Sequence, residues 1–154
     1  MRAYGPTVLR LFLAAVFIAH GVEKLFGVLG GSLAGTEAMV SALHLPAAYP
    51  LAVAAAAGEL ACGILLLVGA FTLWAALVLL AARLVVFYQL YTASRLLMPS
   101  EPVGGTDVEL SWLLIGALIA LLLGGPGALS LDGQRVRSAE RDAAARARLR
   151  AGKV

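Results

Sequence analysis

Four long apolar runs, at about residues 7–29, 51–68, 73–91 and 108–123, alternate with stretches rich in Gly and Pro. At a rise of about 1.5 Å per residue, helices of these lengths cross or nearly cross a hydrocarbon core of about 30 Å. The spacing therefore predicts four transmembrane helices, the last slightly short. Gly5-Pro6 marks the start of the first, where Arg10 lies near enough to the end to snorkel to the interface. Gly30, Gly31 and Gly35 break it, and Thr36 is the expected N-cap of a short interfacial segment, 37–43, with Met39, Val40 and Leu43 on one side. Leu45-Pro46 and Tyr49-Pro50 end that loop, and a tight turn is expected near Gly69-Ala70-Phe71-Thr72. Residues 92–108, with Pro99 and Pro102, form the next loop, and Gly124-Gly125-Pro126-Gly127 stops the fourth run.

Polar residues inside these runs need a reason. His20, Glu23 and Lys24 stand at i, i+3 and i+4 and so share one helix face. A charge at mid-bilayer costs about 2.5 to 3.5 kcal/mol on insertion scales, so this face is expected to look into a bundle. The second run carries Glu59, Cys62 and Gly63 at the same spacing, the third carries Arg83, and Glu109 opens the fourth. Alternating helix directions place Glu23 roughly 10 Å, and Glu59 and Arg83 roughly 12 Å, below one surface. Trp74 at one end of the third run, with Tyr88 and Tyr91 at the other, outlines an aromatic belt.

Composition agrees with membrane residence: 61% of the 154 residues are hydrophobic and only 14% charged. These values exclude an ordinary soluble domain. The formal charge of +3 does not indicate nucleic acid, because residues 132–154 hold seven Arg or Lys and three acids, while residues 1–131 hold five and six. The expected layout is thus a membrane domain over 1–131 and a basic tail over 132–154, whose end, 139–151, forms a surface helix facing anionic lipid. Arg2, Arg10 and the tail against Arg95 alone place both termini in the cytoplasm by the positive-inside rule.

The chemistry narrows less. One cysteine, Cys62, excludes an internal disulfide, and no Cys/His spacing marks a metal site. His20, Glu23, Lys24, Glu59 and Arg83 are the candidates for ligand binding or proton handling, with Tyr88 and Glu109 secondary. Two readings stand side by side. Lys24 with Glu59, and Arg83 with Glu23 or Glu59, form ion pairs that fix the bundle. Alternatively, the cluster takes a small polar molecule or a quinone headgroup, with His20, Lys24 or Arg83 donating to a carbonyl and Glu23, Glu59 or His20 moving protons.

The stretches RLFLAAVFIAHGVEKLFG (10–27), ALHLP (42–46), AAAGELACGILLLVGAFT (55–72) and GGPGALSLD (124–132) resemble the DoxX family of small four-helix bacterial membrane proteins. The more specific part is His20-Gly21-Val22-Glu23-Lys24 together with Gly58-Glu59. The resemblance implies a multi-pass protein of the bacterial inner membrane associated with redox systems, and implies association more strongly than catalysis. The leading expectation is a quinone-interacting or accessory subunit of a membrane redox complex, without a covalently bound cofactor of its own and with other membrane subunits or further copies as partners. The alternative is a non-catalytic structural subunit filling a groove in a larger complex. A small-solute transporter or channel is disfavoured by the lack of inverted repeats or broken helices.

Overall fold

The computed structural model describes residues 4–27, 32–44, 46–93 and 105–151, with only the backbone described for 91–93, 105–108, 140 and 145–151. These residues are helical throughout their regular structure and contain no strand. The helices are α1 (Gly5–Phe26), α2 (Leu33–Ala42), α3 (Ala48–Val68), α4 (Thr72–Ala93), α5 (Gly105–Gly124) and α6 (Leu131–Ala151). Three of them, α1, α3 and residues 72–90 of α4, are long and apolar enough to cross a membrane, and α5 contributes a shorter apolar run from Glu109 to Gly124.

Side-by-side packing runs α1 to α3, α3 to α4, α4 to α5 and α5 back to α1, so neighbours around the bundle are antiparallel. Leu13, Phe17, Leu66, Leu79, Leu118 and Leu121 meet along its axis. Phe12, Trp74, Leu113 and Leu123 point outward. The tightest seam joins α1 to α3, and glycine makes it possible. A Cβ on Gly21 would lie 2.7 Å from Leu60 Cβ, and one on Gly63 would lie 2.9 Å from the Ile18 nitrogen. Only the missing side chains let the two backbones approach this closely.

Several boundaries depart from the sequence pattern. Gly27, in the left-handed region at φ 63°, caps α1 by donating its N–H to Glu23 O, so the helix ends at Phe26, three residues short of the expected limit. The expected residues 28 and 29 lie outside the described residues. Pro50 falls inside α3 rather than before it, because in the first turn of a helix its missing N–H has no intrahelical acceptor to lose. α2 starts at Leu33, so Ser32 and not Thr36 occupies the N-cap position. Thr36 lies within the helix. α4 and α5 extend to Ala93 and Gly105, which puts Glu109 in the second turn of α5, and Pro99, Pro102 and Arg95 lie outside the described residues. The tail is helical over Leu131–Ala151, not only over 139–151.

One end of the bundle is closed by the segment after α5. Arg10 does not snorkel: it is 2% exposed, and its Nη2 donates to the Leu129 carbonyl at 2.6 Å. The chain following Gly124 folds back over α1 and covers the guanidinium, which is packed against Gly69 and Ser130. Asp132 then caps α4 from a distance of sixty residues, accepting from Phe71 N–H at 3.1 Å and Thr72 N–H at 2.8 Å. The residue before α4 is Phe71, which has no side-chain oxygen to cap with and sits at φ 51°, so the acceptor comes from elsewhere in the chain. Burial opposes ionisation of Asp132, but the N–H donors of Thr72 and Phe71 and the nearby Arg135 outweigh it and hold the carboxyl below its usual range.

Candidate functional site

The opposite half of the bundle holds the ionisable cluster. The register that seats Gly21 on Leu60 also brings Lys24, one turn along α1, against α3. Lys24 Nζ lies 2.7 Å from Glu59 Oε2. Glu59 is 5% exposed, and its other oxygen, Oε1, is 3.9 Å from Nη2 of Arg83 on α4. The same Arg83 Nη2 is 2.8 Å from Nδ1 of His20, bridging α1 and α4 across the bundle. The guanidinium also stands 5.1 Å from the centre of the Phe17 ring, a cation–π contact one turn below His20. Three helices thus fix one carboxylate, two cations and one imidazole as a continuous chain of contacts.

This chain lines a cavity of about 510 Å³. Glu23 joins His20, Lys24, Glu59 and Arg83 in lining it, and no ion pair of Glu23 occurs among the described residues. The rest of the lining is largely apolar and includes Val85 and Val86 of α4, Leu110 of α5, and Met39, Val40 and Leu43 of α2, with Thr36, Gln89 and Ser111 as further polar members. The α2 side chains expected to lie along an interface therefore cover the cavity. Gln89 Nε2 donates to the Met39 carbonyl at 2.8 Å, which ties α2 to α4.

Five of the seven candidate residues meet at the cavity, and two do not. Tyr88 is 62% exposed on the outside of α4, and Glu109 is exposed near the start of α5. Both are absent from the lining because the helices turn them away from it. Ser111, 1% exposed on α5, and Gln89 do line the cavity and were not singled out from the sequence. A polar residue one helical turn from Leu114 and Ile115 on a buried face was the available signal for Ser111; the partner of Gln89 is a backbone carbonyl, which has no sequence signature. Cys62 is buried on α3. Among the described residues, no group of three or more His, Cys, Asp or Glu could hold a metal ion.

A family profile, DoxX, matches residues 5–92, more than half of the chain. The chain belongs to the DoxX family. The matched region carries every member of the polar chain, from His20 through Lys24 and Glu59 to Arg83. The apolar helices and the family together make this DoxX protein a membrane protein. No curated protein and no solved structure matches it.

Proposed function

We propose that this DoxX protein spans the bacterial inner membrane four times, through α1, α3, α4 and α5, with both termini in the cytoplasm. It binds a small amphipathic molecule of the quinone type in the cavity, as a quinone-interacting or accessory subunit of a membrane redox complex. The observation that carries this reading is the mixed lining of the cavity. Five ionisable side chains line a volume of about 510 Å³ whose remaining lining is largely apolar. Ligand sites commonly have this size and mixture, a few convergent polar groups in an otherwise apolar hollow. A quinone head would meet the polar groups and its isoprenoid tail the apolar side chains. The redox cofactor that passes electrons would belong to a partner subunit. The orientation rests on Arg2 and the seven cations of residues 132–154 against Arg95.

Binding of decylubiquinone to the full chain in lipid nanodiscs tests the reading. Lys24→Ala combined with Glu59→Gln is expected to weaken binding at least tenfold; equal affinity in both proteins would remove the cluster from that role. A second reading is favoured by one specific observation, the direct contacts of 2.7 Å at Lys24–Glu59 and 2.8 Å at Arg83–His20. These serve equally well to lock the bundle of a structural subunit. That reading expects stable co-purification with other membrane subunits in mild detergent, and a partner-free monomer that binds decylubiquinone would argue against it.

A further inference from the structure

The contact between Arg83 and His20 fixes more than geometry. A guanidinium carries N–H donors and no acceptor, and stays protonated in proteins. With Arg83 Nη2 at 2.8 Å, His20 Nδ1 must therefore be the acceptor and bear no proton. A ring protonated on Nδ1, or on both nitrogens, would offer Arg83 nothing to bond. His20 is accordingly neutral, with its proton on Nε2. Nε2 makes no hydrogen bond to any of the described residues, and the ring lines the cavity.

The cavity's charges cancel. Lys24 and Arg83 stand against Glu23 and Glu59, and the neutral His20 adds nothing. A wall without net charge does not compensate the desolvation of an anion, whereas a neutral carbonyl needs only a donor. We propose that His20, held by Arg83 as the Nε2–H tautomer, is the hydrogen-bond donor to a carbonyl oxygen of a neutral ligand in this cavity. Arg83 acts here as a positioning residue: the Phe17 ring at 5.1 Å and Glu59 Oε1 at 3.9 Å hold its guanidinium where it can present donors to Nδ1. The assignment rests on the reading of the cavity as a ligand site, and adds which atom recognises the ligand and that the ligand is an uncharged acceptor.

Nitrogen NMR of the full chain, labelled with ¹⁵N-histidine and reconstituted in nanodiscs, tests it. The sequence holds only two histidines, His20 and His44, so a His44→Gln variant assigns the signals. At neutral pH, His20 is expected to show an unprotonated Nδ1 and a protonated Nε2. Decylubiquinone is expected to shift the Nε2–H signal, and inorganic sulfate is not. His20→Leu should weaken decylubiquinone binding about tenfold, the value of roughly one hydrogen bond, and His20→Gln, which keeps an N–H donor, should restore most of it. Arg83→Met should release the tautomer into a mixture; the wild-type spectrum tests the assignment without requiring that variant to fold. A proton on Nδ1 in the wild type, or a response to sulfate but not to decylubiquinone, overturns the proposal. Decylubiquinone that binds with His20 silent overturns the donor assignment alone, whereas the expected tautomer with no decylubiquinone binding overturns the ligand reading of the cavity.

Discussion

Lys24 Nζ and Glu59 Oε2 meet at 2.7 Å across the seam between α1 and α3, and the pair is asymmetric: the lysine side chain is 23% exposed and the carboxylate 6%. The carboxylate also faces Arg83 at 3.9 Å, so it is shared by two cations. Removing one member of a buried pair typically costs about 3 to 5 kcal/mol, because the other is left charged and unpaired. Glu59→Leu should cost more than Lys24→Met, since it takes the carboxylate from both Lys24 and the buried Arg83, whereas loss of the lysine leaves the carboxylate Arg83 at 3.9 Å. The double substitution should cost less than the sum of the two. Thermal unfolding in detergent, arranged as a double-mutant cycle, measures the coupling; strict additivity would show that the contact contributes nothing.

Gly21 controls this pairing through space alone. Gly21→Ala places a methyl 2.7 Å from Leu60 Cβ and 2.8 Å from its backbone nitrogen, neither of which can swing aside. The seam must open, at an expected cost of about 1 to 3 kcal/mol. Gly58→Ala, with nothing within 4 Å of the added carbon, serves as the control on the neighbouring helix and should leave the melting temperature nearly unchanged or raise it.

Asp132 should impose a pH dependence at the closed end. Its carboxyl is held below the usual range in the folded chain, so its stabilisation is fully present above the unfolded value of about pH 4 and is lost as pH falls through the lower folded value. Asp132→Asn removes the charge at every pH. The wild-type melting temperature is expected to exceed that of the variant at neutral pH and to converge with it in acid; parallel curves down to the lowest pH would contradict the capping role.

The attachment of α2 can be tested at Gln89. α2 has no buried residue and no side-chain cap, so the 2.8 Å bond from Gln89 to the Met39 carbonyl is one of its few fixed points. Gln89→Leu should raise amide exchange across residues 33–42 by about five- to tenfold, the equivalent of one hydrogen bond, while exchange in α1 and α3 stays unchanged.

The local pattern was enough to place four apolar helices and to expect that His20, Glu23, Lys24, Glu59 and Arg83 face inward, because helical period and the cost of charge in an apolar phase are properties of sequence alone. The same pattern misplaced Arg10, expected at a lipid interface, because whether a cation near a helix end reaches water depends on which later segment covers it. It also could not assign the cap of α4, whose acceptor is Asp132, or see that α2 covers a hollow.

What the tertiary structure decided was pairing. Several cations and carboxylates of comparable depth could combine in more than one way, and the rotation and register of α1 on α3, set by the bare backbones of Gly21 and Gly63, selected Lys24 with Glu59 and set Arg83 between Glu59 and His20. The sequence alone determined that these charges had to turn away from lipid together. Their contacts, and the cavity of about 510 Å³ beside them, follow from how closely the helices approach, a quantity that no single segment encodes.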